Sequence, residues 1–247
     1  MRADKLLANT GFGTRKEVKK LLKQGAVTVD GQKVTQASEQ IDPDTQDVEV
    51  KGEPLVYREY IYLMMNKPKD VICATEDDLH ETVIDILEFE DIVRKPFPIG
   101  RLDKDTDGLL LLTNDGKFSH ALTSPKKGVP KTYTATIDQA VTTEDATAFS
   151  KGVTLDDGYE TKPAELYLNE EYPETVTITI REGKYHQVKR MFESVGKRVL
   201  DLKRIQIGSI PLDETLGSGE YRDMEEEEVT QLLEEAYRHT KDGTAPS

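Results

Sequence analysis

With 47 acidic residues against 33 basic ones, the 247-residue chain carries a formal net charge of −14, a sum that argues against nucleic acid as a partner. Its 36 % hydrophobic and 32 % charged content suit a soluble protein with a core, and apolar runs such as Ile61 to Met65 fall far below the roughly 20 residues of a membrane span. A single cysteine, Cys73, excludes an internal disulfide and suits a reducing cytoplasm.

The N-terminus has no apolar leader, since Arg2, Asp4 and Lys5 interrupt it at once. The four histidines (His80, His120, His186 and His239) have no second ligand at metal spacing, so no metal site is expected. The distribution of charge says more than its sum. Residues 1–34 hold eight Lys or Arg against three acids, and residues 181–204 again hold eight against three. The acid excess lies elsewhere, notably between Glu220 and Glu235. Two basic patches on an acidic body are compatible with phosphate binding.

TRKEVKKLLKQG at 14–25 reads as a helix with its start and stop written in. Thr14 and Glu17 form a capping box, and Gly25 suits the position just past the end. Val18, Leu21 and Leu22 make the apolar stripe, and Lys16, Lys19, Lys20 and Lys23 fall on the other face. A solvated surface is the ordinary reading of such a face. Four lysines beside one acid repel each other, however, and a bound polyanion resolves that repulsion. Val27 and Val29 then alternate before Asp30-Gly31, a two-residue hairpin signal. RADKLLANTGFGTRKEVKKLLKQGAVTVDGQKV resembles the S4 RNA-binding domain, and the expected module spans residues 1–57. KGEPLVYREY reads as a linker, with the second domain expected over 60–240.

GRLDKDTDGLLLLTNDG at 100–116 sets Asp103, Asp105 and Asp107 at alternate positions ahead of Gly108, as a calcium-binding EF-hand loop does. The twelfth position is then Asn114, which cannot clamp an ion with two oxygens. Leu109 to Leu112 reads as a buried strand, where an EF-hand needs an amphipathic helix. An acidic turn before a core strand is the bland alternative.

Three further blocks accompany this one: MMNKPKDVICA (64–74), HALTSPKKGVPKTYTATI (120–137) and IREGKYHQVKRMFESVGKRVLDLKRIQIG (180–208). LGSGEYRDMEEEEV (216–229) closes the chain, and Val229, Leu232, Leu233 and Ala236 continue at helical spacing. In this order the blocks resemble the RsuA-type, small-subunit branch of the ribosomal RNA pseudouridine synthases, over nearly the whole chain.

The resemblance implies an α+β protein: a small S4 helix-hairpin module, then a catalytic domain on a mainly antiparallel sheet. It implies isomerisation of uridine to pseudouridine in 16S ribosomal RNA, at uridine 516. A large-subunit (23S) synthase and a catalytically inert RNA-binding or ribosome-assembly protein are the alternatives. Asp103 matches the family nucleophile, Tyr133 the aromatic that stacks on the target base, and Lys189 the basic partner of the aspartate. Tyr133 also reads as a core aromatic on an alternating strand, while Asp105 and Asp107 are expected only to shape the loop. The RNA-contacting candidates are Arg101, Arg190, Arg15 and the lysines Lys16, Lys19, Lys20 and Lys23. The reaction involves neither redox nor phosphoryl transfer, so no cofactor is expected. The expected partner is 16S ribosomal RNA in an assembly intermediate, met in the cytoplasm and away from membranes.

Overall fold

The computed structural model describes residues 1–241, in two compact units: residues 1–61 with 87–96, and residues 62–86 with 97 onward. In the first unit, α1 (Ala3–Asn9) and α2 (Arg15–Lys23) pack against a sheet of β1 (Val27–Val29), β2 (Gln32–Lys33), β3 (Val48–Val50) and β4 (Glu53–Pro54), ordered β2-β1-β3-β4. The capping box forms as expected, with Glu17 accepting from the Thr14 N–H at 2.7 Å and Thr14 Oγ1 accepting from the Glu17 N–H at 3.4 Å. Val18 and Leu22 are fully buried under the helix, beside Leu6, Leu7 and Val27. Asp30 and Gly31 both take positive φ, 51° and 77°, which a two-residue turn matching the strand twist requires.

The same device recurs where the sequence suggests a linker. Lys51 and Gly52, at φ 55° and 84°, turn β3 into β4, so the start of KGEPLVYREY completes the sheet. A second departure concerns residues 87–96, expected in the second domain. They group with the first unit, where α3 (Phe89–Ile92) is followed by Val93. A Val93 methyl stands 3.4 Å from where a Cβ on Gly11 would lie, a contact between distant segments that no local pattern announces.

The second unit holds β5 (Tyr62–Lys67), β6 (Phe97–Pro98), β7 (Asp107–Thr113), α4 (Gly116–Thr123), β8 (Lys131–Ile137), α5 (Thr143–Lys151), β9 (Glu165–Leu168), β10 (Thr175–Ile180), α6 (Gln187–Ser194), β11 (Val199–Ile207), β12 (Ile210–Pro211), β13 (Tyr221–Asp223) and α7 (Glu226–Lys241). The sheet runs β13-β5-β7-β11-β8-β10-β9, with β6 beside β7 and β12 beside β11. Among the described strands only β7 and β11 pair in parallel. The expected mainly antiparallel α+β sheet is present.

Leu109 to Leu112 in β7 are fully buried, as a central strand with little alternation should be. Two apolar clusters fill this unit. One joins β8, β10 and β11 to α5 and α6, where Phe149 and Phe192 meet edge to face at 5.0 Å. The other joins β5 and β7 to α4 and α7, through Phe118, Leu122, Leu232 and Ala236. No helix among the described residues is long and apolar enough to cross a membrane.

Candidate active site

The loop before β7 carries Asp103, and three constraints hold it. The Thr106 N–H donates to the Asp103 carbonyl at 3.1 Å, closing a turn. The Asp70 N–H donates to the Lys104 carbonyl at 2.8 Å, and the Leu102 N–H reaches Cys73 Sγ at 3.3 Å. Beneath them lies Lys67, fully buried at the end of β5, whose ammonium donates to the carbonyls of Pro68, Asp103 and Thr106 at 2.9, 3.3 and 3.0 Å. Burial pushes the Lys67 pKa below the ordinary lysine value, against the pull of Cys73, Asp107, Asp103 and Asp105. Burial likewise raises the Cys73 thiol.

The strand itself dictates a glycine. Gly108 sits at φ 103° opposite Arg204 in the parallel seam, and a Cβ there would lie 2.2 Å from the Arg204 carbonyl oxygen. No other residue type fits that approach.

The second wall comes from α6 and the turn ahead of it. His186, at φ 48°, precedes the helix, whose Val188, Met191 and Phe192 face the core. That packing leaves Lys189 turned towards the loop. Its ammonium lies 3.0 Å from Asp103 Oδ2 and 2.6 Å from Asp105 Oδ1. Burial lowers the Lys189 pKa, but the hydrogen bonds to Asp105 and Asp103 outweigh it and hold the group above its ordinary value. The same lysine holds the Asp105 carboxyl below the usual range. On the other Asp103 oxygen, His186 Nε2 stands at 3.5 Å, its ring stacked on Tyr185 at 3.8 Å.

The third wall is β8. Its alternation turns Tyr133, Ala135 and Ile137 inward, and Tyr133 is 8 % exposed. Arg101, Asp103, Tyr133, Lys184, His186 and Gln187 line one cleft of about 70 Å³. That is smaller than the roughly 300 Å³ at which ligand pockets usually begin. A groove of about 250 Å³ adjoins it and shares Arg101, Tyr133, Gly183 and Lys184. The two form a continuous trough, open on the side of Lys184 and Arg101, which are exposed.

Residues 61–194 match the family model described as RNA pseudouridylate synthase, and residues 1–47 match that of the S4 domain. The chain belongs to the RNA pseudouridylate synthase family. It is an RNA pseudouridine synthase, an isomerase that acts on RNA. The synthase is 52 % identical over 236 residues to the uncharacterized RNA pseudouridine synthase YtzG of Bacillus subtilis, covering 95 % of this chain and 99 % of the relative. It is 42 % identical over 235 residues to ribosomal small subunit pseudouridine synthase A of Escherichia coli K12, covering 94 % and 100 %. A solved structure described as a crystal structure of pseudouridylate synthase matches with a TM-score of 0.66 and 38 % identity, over 94 % of this chain and 99 % of that one.

The synthase thus brings Asp103, Tyr133 and Arg101 to one trough, with Lys189 bound to Asp103 beside it, although Arg190 turns elsewhere. Its guanidinium is bound to Asp156, with Nε at 2.6 Å, and to Asp157, with Nη2 at 2.7 Å. Arg15, Lys16, Lys19, Lys20 and Lys23 are all exposed on the first unit. Asp105 does more than shape the loop, since it shares Lys189 with Asp103. Asp107 opens β7 and lies 3.8 Å from Lys203. Among the described residues no group of three or more His, Cys, Asp or Glu is placed to hold a metal ion.

Three site residues escaped the sequence reading: Lys67, His186 and Arg204. Arg204 is 3 % exposed, donates Nε to the Leu109 carbonyl at 2.7 Å, and sits with Cζ 6.0 Å from the Tyr133 ring centre. Each lies inside a block quoted above, and a buried Lys or Arg is rare enough to mark a site once burial is known.

Proposed function

We propose that the synthase isomerises one uridine of small-subunit, 16S ribosomal RNA, with Asp103 as its nucleophile. The observation that carries this reading is the cleft in which an aspartate and an aromatic ring converge, with a lysine bound to that aspartate at 3.0 Å. The net reaction breaks the N1–C1′ bond, forms C5–C1′, and transfers one proton from C5 to N1. A carboxylate that attacks covalently divides that exchange into two easier steps. Lys189 supplies the opposite charge beside it, and lysine keeps the charge of an arginine without its bidentate geometry. Tyr133 stacks on the uracil once the nucleotide has left its own stack, at a cost of a few kcal/mol. The exposed lysines of α2, with Arg15, hold RNA through its phosphates.

The small-subunit assignment rests on the relatives that carry that name at 42 % identity along nearly their whole length. Within it, uridine 516 is the target, met on rRNA in an assembling particle in the cytoplasm. The test is a map of pseudouridines in 16S and 23S rRNA from cells lacking the protein. One 16S pseudouridine, at position 516, should vanish and return with the wild-type chain but not with Asp103→Asn. Loss of a 23S site would reassign the synthase to the large subunit, and an unchanged map would overturn the rRNA assignment.

A further inference from the structure

The groove beside Tyr133 is built of cations. Lys131, Lys162, Arg181, Lys184 and Arg204 line it, with Arg101 at the shared edge, against the single carboxylate of Glu182. That carboxylate is already committed. It accepts from the Tyr159 hydroxyl at 2.7 Å, the Lys162 N–H at 2.9 Å and Gln187 Nε2 at 2.7 Å. Lys131 donates to the Leu122 and Val129 carbonyls at 3.2 and 2.8 Å, and Lys162 Nζ to the Pro125 carbonyl at 3.1 Å. Those partners are dipoles and bring no counter-charge. Arg181 has only a 3.5 Å approach to the exposed Glu165, outside the groove.

Arg204 adds an independent sign. Its Nη2 is buried and has no hydrogen-bond partner among the described residues. A buried donor left unpaired carries its full desolvation penalty, larger when it is charged, so such groups usually await a ligand or water. Burial, then Arg204 and Lys162, push the Lys131 pKa down to about 8, which marks a site short of negative charge.

We infer that this groove is a phosphodiester subsite, seating the RNA backbone phosphate that adjoins the target uridine. Lys131 and Arg204 form its buried side, and Lys162 and Arg181 its open side. A base or ribose would also fill the space, but neither brings the charge that these groups lack. The groove shares Tyr133 with the Asp103 cleft, so a nucleotide stacked there delivers its own linkage to this wall. The subsite is distinct from the S4 lysines, which lie on the other unit. It rests on the RNA-modifying activity and not on which ribosomal subunit is modified.

The test replaces the linkages 5′ and 3′ of the target uridine, one at a time, by a neutral methylphosphonate in whichever rRNA fragment the synthase modifies. An error in the assigned subunit then changes the substrate and leaves the comparison intact. At one linkage the replacement should raise KM about tenfold for the wild-type enzyme, the scale of one lost charge-assisted hydrogen bond, with a smaller effect on kcat. Lys131→Gln should raise KM similarly on ordinary RNA and lose little more on the methylphosphonate RNA, because both changes remove one interaction. Lys162→Gln, at an exposed position that spares the fold, should show the same non-additivity with a smaller loss. Methylphosphonate effects below twofold at both linkages overturn the proposal, as do fully additive losses in the folded variants.

Discussion

Lys189 binds Asp105 more closely than it binds Asp103, at 2.6 Å against 3.0 Å. The expected nucleophile therefore competes for its counter-ion with a neighbour two residues on, and that neighbour is largely exposed. Asp103→Asn removes the attacking charge and should abolish pseudouridine formation while leaving RNA affinity in place. Asp105→Asn should release Lys189 wholly to Asp103, so activity should stay within about threefold of wild type, the effect of an exposed ion pair being small. Asp107→Asn should likewise remain active, and a chelator should change nothing. Pseudouridine formation on 16S fragments measures all of these. Turnover by Asp103→Asn, or loss of turnover with chelator, would sink the assignment.

Tyr133 belongs at once to the apolar cluster under β8 and to the wall of the trough. Tyr133→Phe keeps the ring and should bind RNA nearly normally. Tyr133→Ala removes a buried ring and should cost about 3 kcal/mol of stability besides RNA affinity. Thermal melts and filter binding, read together, separate the two effects. Full activity in a folded Tyr133→Ala enzyme would leave the residue a core aromatic only.

Gly108 tests the parallel seam. Alanine there places a Cβ against the Arg204 carbonyl at a φ that side chains rarely adopt. Gly108→Ala should cost at least about 3 kcal/mol and displace Arg204 and the Asp103 loop together. A melting temperature within a degree or two of wild type would show that the seam yields.

What the sequence disclosed was local. The capping box, the Asp30-Gly31 hairpin, the LLLL strand and the apolar face of α7 are each written within a dozen residues, where periodicity and turn chemistry apply. Asp103, Tyr133 and Lys189 were found through motif resemblance, and the fold then set Asp103 and Lys189 in contact. The rest depends on contacts between distant positions. Lys67 finds the Asp103 carbonyl across 36 positions and Arg204 the Leu109 carbonyl across 95. A charged residue inside a strand reads as solvent-facing until the neighbouring strand is known. The ion pairs of Arg190 were illegible for the same reason, since Asp156 and Asp157 approach it from a separate loop. Lys51-Gly52 was different: the turn chemistry was legible there but read as a linker.

The lysine face of α2 stays a question of charge. Lys16, Lys19, Lys20 and Lys23 are exposed, as either reading requires. Replacing all four by Gln should weaken RNA binding and reduce the slope of log affinity against log salt by roughly 0.7 to 0.9 for each phosphate no longer neutralised. The turnover of bound RNA should be unaffected. An unchanged slope would make the face solvated surface.

Lys131 gives the synthase a pH signature. Its pKa of about 8 in the folded chain lies below the ordinary 10.5 of lysine. Between those values the unfolded chain holds a proton that the folded chain has released, so stability rises with pH across this window. Below about pH 8 the folded state carries the full cost of the half-buried charge, with Arg204 and Lys162 adding to it. Lys131→Met removes the titration, and the carbonyls of Leu122 and Val129 that it leaves unpaired add an offset that does not vary with pH. The stability of wild type relative to the variant should therefore climb by on the order of 2–3 kcal/mol from about pH 7 to about pH 10.5. Urea unfolding of both proteins at matched pH cancels the titration of every other group. A difference that stays flat would mean that Lys131 is solvated in the free enzyme, and the groove would lose its shortage of negative charge.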